Sequence, residues 1–412
     1  MNKKLYYIYL LSAVVYFLQG IEGLPSLSLT LYLKEHLHFD ASTIMYIGSI
    51  TGLAWIIKPL WGYLCDQMLS NKAWIFISLL GSILVSLYFG LSVALPLALL
   101  IGILAFANTS SAMRDVAVDG ISCIEGKEMG KNSQIQSVQW ISITVAGIIA
   151  SLAGGYIADH LSYQKGYLML IPFYLIAILI ALKYKKEQTC AGCKFELECN
   201  GNVKNKEVCY QKREKKSIIE SVLSYKELFT NKQFLLAGLF LFLYKYSPSF
   251  GLPLFFIERD SFKWSGSFMG ILGAVISCFE IIGAVLFFKY NKKINIKKWL
   301  YISVFLGALI SLAYLYFTQI TAVVYGILFA SIGMFVHLIM MSFLAQSTIK
   351  GKEATSFALL CGINNLAGTA SSITGAFLFP KIGLSWLIIL SALTSFICLP
   401  LINKIFPKEK HE

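Results

Sequence analysis

Seven ionisable side chains fall inside stretches of this chain that are otherwise apolar: Glu22, Lys58, Arg114, Asp115, Asp119, Lys245 and Glu280. Each costs roughly 2.5–3.5 kcal/mol at the centre of a membrane helix, so each needs a partner, a wet cavity or a task. The densest set lies in SSAMRDVAVDGISC, residues 110–123. On a helix, Asp115 and Asp119 share a face about 40° apart, and Arg114 stands about 100° round from Asp115. Two carboxylates on one face repel each other unless a cation intervenes. Such a face can bind and release a proton, or hold the N–H edge of a substrate. It can also be an ion-pair network that pins the helix to its neighbours, and for these three residues both readings stay open. Lys245 and Glu280 lie near the middle of their stretches and can pair with each other or face a site. Glu22, between Gly20 and Gly23, is a candidate for a cavity wall. Lys58 lies near the end of its stretch, where its ammonium can snorkel to the interface.

The elements that carry these residues are membrane helices. The chain has 412 residues, of which 57% are hydrophobic and 14% charged; soluble domains run nearer 25% charged. A bilayer core of ~30 Å takes about 20 apolar residues per helix. Twelve runs meet that need, at 5–33, 41–65, 73–90, 97–124, 134–158, 166–182, 233–257, 264–288, 299–316, 322–349, 354–379 and 385–403. The expectation is an all-α membrane protein. Lys3 and Lys4 precede the first run as they would in a signal peptide, but the run continues to Leu33, too long for an h-region. It is read as a span.

The net charge of +13 is sorted by position rather than spread over a nucleic-acid-binding face. Only Lys34, Lys165, Arg259, Lys263 and Lys381 fall in the odd-numbered loops, and Lys58, Arg114 and Lys245 lie inside spans. All other basic residues fall in the termini and even-numbered loops. By the positive-inside rule both termini and the 183–232 loop are expected in the cytoplasm. No cleavable targeting segment is evident, so the plasma membrane is the default expectation. The expected surroundings are the lipid bilayer, with no nucleic acid, and a monomer is expected.

The polar stretch 183–232 divides the chain into residues 1–182, a six-helix bundle, and 233–412, a second bundle with a short tail. Six plus six with a basic central loop is the plan of the major facilitator fold. The halves echo each other. GLPSLSLTLYLKE begins at Gly23 and GLPLFFIERD at Gly251, each late in the first span of its half. Each is followed by a Gly-spaced span, GSITG at 48–52 and GILGA at 270–274. Gly and Pro late in a span loosen the backbone where helices bend or pack closely. The loop after span 2, reached through KPLWGYLCDQ, carries Gly62, Asp66 and Lys72 in an order that suits a latch, with Asp66 capping a helix or pairing with a base.

Four motifs in order resemble the folate–biopterin transporter family of the major facilitator superfamily: YFLQGIEGLPSLSLTLYLKE, WIIKPLWGYLCD, RDVAVDGISCIE and QSVQWISITVAGIIASLAGGYIAD. The matching positions are Gly20, Gly23 and Pro25; Trp55, Lys58, Pro59, Gly62 and Asp66; Asp115, Asp119 and Glu125; and Gln136, Gly154 and Gly155. The resemblance covers spans 1 to 5 well and the second half in outline. It implies a secondary transporter that moves folates or pterins by alternating access, coupled to protons. Members of similar sequence carry other metabolites, including S-adenosylmethionine, and a transport-inactive receptor or scaffold is a further alternative. A pterin's 2-amino and N3 hydrogens form a paired donor edge that a carboxylate such as Asp115 can accept. A flat ring wants aromatic walls, for which Trp140, Tyr46 and Phe242 are available. A glutamate tail wants a cation, Arg114 or Lys245. Glu22, Asp115, Asp119 and Glu280 are the candidate proton carriers.

Nothing points to an enzyme or a cofactor: there is no nucleophile–base pair and no phosphate loop. Four of the nine cysteines, Cys190, Cys193, Cys199 and Cys209, crowd the central loop. Four thiolates can hold zinc, but the second pair lacks knuckle spacing, so a reduced, solvated linker is the expectation. Cys65, Cys123, Cys278, Cys361 and Cys398 are read as packing residues. His337 is read as a packed histidine.

Overall fold

A computed structural model describes residues 3–92, 96–129, 132–184, 228–290, 293–349 and 353–406. Among these residues every regular element is a helix. Span 1 is α1 (Lys3–Ile21) and α2 (Ser26–Leu31), and span 2 is α3 (Ala41–Thr51), α4 (Leu53–Ile56) and α5 (Lys58–Gln67). Then come α6 (Asn71–Leu91), α7 (Leu97–Met129), α8 (Asn132–His160), α9 (Tyr163–Leu168) and α10 (Ile171–Lys183). The second half holds α11 (Lys232–Lys245), α12 (Gly251–Asp260), α13 (Gly266–Tyr290), α14 (Ile296–Ala313), α15 (Gln319–Gln346), α16 (Glu353–Ser395) and α17 (Leu399–Ile405).

Nine described stretches are long and apolar enough to cross a bilayer. The other expected spans differ from simple rods for local reasons. Span 2 is interrupted at Gly52 and again before Pro59, which lacks the N–H a helix interior needs. Span 7 is open from Tyr246 to Phe250, around Pro248. Spans 11 and 12 run together as Ser356–Ile405, turned at Gly383, whose φ of 72° is open to glycine and strained for other residues. The cysteine cluster 190–209 lies outside the described residues.

Buried side chains gather into two cores. One runs from Ile8 to Tyr184 and the other from Leu228 to Ile405. Their helices are tied together by unlike devices at the two ends. At the end carrying Lys3 and Ile405, Lys72 Nζ donates to Tyr184 O at 2.6 Å within the first half. Within the second half, Lys297 Nζ donates to Phe406 O at 2.7 Å. At the opposite, distal end the halves hold each other. Arg259 Nε binds Glu35 Oε1 at 2.6 Å, and Lys34 pairs with Asp260. Asp159, at the end of α8, accepts from the backbone N–H of Gly266 and Ser267, each at 2.7 Å, where α13 begins. A carboxylate there caps free N–H groups and meets the positive end of the helix dipole. The Glu35 hydrogen bond and nearby carboxylates push the Arg259 pKa up.

Below that cap, α8 and α13 touch backbone to backbone. A Cβ on Gly155 would stand 2.6 Å from Gly266 O and 2.9 Å from Gly270 Cα. Close small-residue packing of this kind is how membrane helices gain dispersion contact without a hydrophobic drive. Gly155→Val is expected to cost about 1–3 kcal/mol by overpacking. Thermal unfolding of the detergent-purified variant should show a lowered Tm, whereas an unchanged Tm would mean that the seam has room to spare.

Candidate functional site

Among the described residues the first half carries three carboxylates in its interior, and each has a different answer. Glu22 lies in the turn between α1 and α2. Its Oε1 meets Arg114 Nη2 at 2.5 Å, and Arg114 is 1% exposed. Ser111 Oγ donates to Glu22 Oε2 at 2.7 Å, and Tyr174 OH donates to Oε1 at 3.0 Å. The other arm of the guanidinium, Nη1, donates to Ser82 Oγ at 3.1 Å. Its carbon lies 5.9 Å from the centre of the Tyr174 ring. One ion pair therefore joins the break in span 1 to α6, α7 and α10. Its lone pairs and protons are filled by neutral hydroxyls, which a buried pair requires if it is not to be a net cost.

Asp115, one residue on, points elsewhere. Its Oδ2 meets Lys58 Nζ at 2.5 Å. Lys58 does not snorkel; it opens α5 and stands 4.7 Å from the centre of the Trp55 ring, a cation–π contact. Trp55 Nε1 in turn donates to Asn108 Oδ1 on α7 at 3.0 Å. Pro59 cannot donate to the carbonyl of Trp55, four residues back. Asn365 Nδ2 of α16 donates to it instead, at 3.0 Å, so the second half fills a vacancy in the first.

Asp119 is half-buried and forms no ion pair among the described residues. Both hydrogen bonds it receives there arrive at Oδ1, from Tyr16 OH at 2.8 Å and Gln139 Nε2 at 3.4 Å. Gln139 also donates to Ser122 Oγ at 3.2 Å, and Ser122 lies 3.0 Å from Ser12 Oγ. All these partners are neutral. Cys361 on α16 lies within electrostatic reach of Lys58, Asp115 and Asp119, so the second half borders this cluster.

The expected pairing of Lys245 with Glu280 does not form. Lys245 ends α11 exposed, and Glu280 on α13 is half-buried; neither makes an ion pair among the described residues. Trp140 is 52% exposed on α8 and meets the His337 ring of α15 edge-on at 6.4 Å. His337 is within electrostatic reach of Lys245. Phe242 stacks on Tyr246 at 5.7 Å, next to the break in span 7. Pro25 precedes α2, and a Cβ on Gly166 would stand 3.1 Å from the Pro25 ring. Gly23 keeps the span 1 turn close: its N–H reaches Gly20 O at 3.2 Å. Gly62 faces Val116 across α5 and α7. Asp66 lies on α5, and its side chain is outside what the structure describes. Cys278 is exposed rather than packed.

Reading charges alone missed Tyr16, Ser82, Ser111, Gln139, Tyr174 and Asn365. Their signal was faint: hydroxyls and amides at depth in apolar runs, which any membrane helix carries in passing.

The arrangement is a set of paired and unpaired carboxylates inside the first of two helical bundles, bordered by the second at Cys361 and Asn365. That is the architecture of the major facilitator transporters. The nucleoside transporter NupG superposes with a TM-score of 0.71 at 17% identity, covering 99% of this chain and all of that one. A D-xylose–proton symporter does so with a TM-score of 0.72 at 11% identity, covering 97% and 99%. Within that fold the sequence goes further: the profile of the BT1 family matches residues 19–411, and the chain belongs to that family. It is a multi-pass membrane transporter. A folate–biopterin transporter of Synechocystis is 23% identical over 418 residues, 94% of this chain and 80% of that protein. Folate transporter 1 of Plasmodium falciparum is 23% identical over 413 residues, 94% of this chain and 77% of that one.

Removing one partner of the buried pair leaves the other charged and unanswered. Arg114→Met is expected to destabilise by about 3–5 kcal/mol. Glu22→Gln combined with Arg114→Met should recover most of that loss. Thermal unfolding of the two variants decides it; a double variant no better than the single would show that Arg114 acts through packing alone.

Proposed function

We propose that the protein is a secondary transporter of folates or pterins, working by alternating access and coupled to protons. The observation that carries this is the graded treatment of three carboxylates in one bundle. Glu22 and Asp115 are each neutralised by a cation, while Asp119 is held by neutral donors and keeps Oδ2 free of donors among the described residues. A carboxylate so placed can take a proton in the empty carrier or accept the paired N–H edge of a pterin ring. Asp115 Oδ1 offers a second acceptor beside the Lys58 ammonium. Trp140, half-exposed on the neighbouring helix, supplies an aromatic wall. The names of the two relatives matched along most of their length, a folate–biopterin and a folate carrier, support the same substrate class.

The two buried cores support two rigid bundles, residues 1–182 and 233–412, joined by the loop 183–232. The distal latch then corresponds to a carrier closed on that side. With both termini and the central loop in the cytoplasm, on the basic-residue count, this is an inward-facing state. The plasma membrane and a monomeric carrier complete the reading. Glu22, Arg114 and Tyr174 form the scaffold of the site rather than its mouth. Asp115 with Lys58, Asp119 and Trp140 line it.

Proton coupling assigns distinct outcomes to one variant. Proteoliposomes holding the wild type should accumulate labelled folate or biopterin when an inward proton gradient is imposed. Asp119→Asn should lose that gradient-driven accumulation by roughly tenfold or more while still exchanging internal for external substrate, because exchange needs no empty-carrier return. Retained gradient-driven uptake in Asp119→Asn would remove Asp119 from the proton path. Wild-type vesicles that take up neither compound would overturn the substrate class.

A further inference from the structure

Each half interrupts its first span beside its GLP tripeptide, at residues 22–25 and 246–250, but the two interruptions are treated differently. In the first, the break presents a carboxylate, Glu22, and Arg114 answers it from within the bundle. In the second, it follows Lys245, for which no carboxylate is supplied among the described residues. Behind that break lies a cavity of about 490 Å³ between α11, α12, α14 and α16. Its wall includes Lys245, the first residue of α12, Gly251, and serines from all sides, among them Ser249, Ser371 and Ser391. Among the described residues no acidic side chain lines it.

The serines hold the open backbone in place. Ser249 N–H donates to Ser371 O at 3.1 Å, and Ser371 Oγ donates to Ser247 O. Ser247 Oγ donates to Ser391 O at 2.7 Å. With its proton spent there, it accepts from Ser391 Oγ at 2.8 Å. The break is thus a fixed, hydroxyl-lined recess rather than a frayed end. It presents an ammonium, hydroxyl groups and the N-terminal turn of α12, all suited to negative charge. A metal cation is disfavoured by the lysine and by a wall of hydroxyls without a carboxylate. The recess is also far larger than one inorganic ion needs.

We infer that this serine-lined cavity at the span 7 break receives the carboxylate end of the transported molecule, with Lys245 as its counter-ion. The inference rests on the folate reading of the site above and divides it in two. The ring is held against the first half at Asp115 and Asp119, and the anionic tail crosses to the second. Trp140 and His337, in edge contact, span the gap, and Lys245 lies within reach of His337. A ligand gripped by both halves couples its own binding to their relative motion, as a carrier requires. Lys245 is then a specificity residue: it separates substrates with a carboxylate tail from pterins without one.

The test compares three probes on purified protein: folate, biopterin, which has no carboxylate, and p-aminobenzoylglutamate, which has the tail and no pterin. Lys245→Gln should weaken folate and p-aminobenzoylglutamate binding by roughly tenfold or more and change biopterin binding by less than about twofold. Lys245→Arg should restore most of the loss. Equal weakening of folate and biopterin would mark a structural role and overturn the subsite. So would p-aminobenzoylglutamate that binds the wild type and Lys245→Gln alike. Failure of the folate reading looks different: wild-type vesicles take up neither folate nor biopterin, while p-aminobenzoylglutamate still reports whether Lys245 holds a carboxylate.

Discussion

Every charge placed in the bilayer must be answered, and the Glu22–Arg114 pair is the answer on which the first bundle depends. Its cost in hydrocarbon is offset because both ends are filled: hydroxyls of Ser111 and Tyr174 on the carboxylate, Ser82 on the guanidinium. The pair sits at the turn of span 1, whose backbone is closed by its own hydrogen bonds, among them Leu24 N–H to Ile21 O at 2.9 Å and Ser26 N–H to Gly23 O at 3.0 Å. The turn of span 1, α6, α7 and α10 meet there. With Arg114 committed inward, Asp115 is left to Lys58, and Asp119 to neutral donors. The graded set of carboxylates is a consequence of one residue facing the other way.

The same economy of small and polar residues governs the contact between halves. At the distal end, glycines bring α8 and α13 together, and Asp159 caps the second helix from the first. Nearer the middle, a proline in one half leaves a carbonyl open and an asparagine in the other fills it. These contacts combine close glycine packing with a few hydrogen bonds. Hydrogen bonds and ion pairs between two bundles can be exchanged for water more readily than a large apolar interface can. Span 7 is open at residues 246–250, where serines of α16 meet its backbone, since open backbone in a membrane is tolerated only where protein or a cavity satisfies it.

Much of this was legible in the sequence. Apolar run lengths gave the helices to within a few residues, and the GLP repeat marked the two broken spans. RDVAVD marked the helix that carries the site. What the sequence hid was partnership. Helical geometry placed Arg114 and Asp115 about 100° apart, but only packing decides that one faces Glu22 and the other Lys58. Lys58 looked close enough to the interface to escape to water; the turn at Pro59 carries it inward instead. Lys245 and Glu280, at similar depth, looked like a pair, yet no ion pair joins them among the described residues. The serines of span 7 carried no pattern, because a serine hydroxyl can always bond its own helix.

Alternating access requires a rigid first bundle and a second bundle to rock about the site between them. Distances between spin labels test it directly. One pair spans the distal seam, at Asp40 and Lys263, and a second lies within the first half, at Leu69 and Lys183. With folate and a proton gradient present, the seam distance should gain a longer population while the distance within the bundle stays single and unchanged. A seam distance that never changes, or a shift within the first bundle instead, would contradict the account.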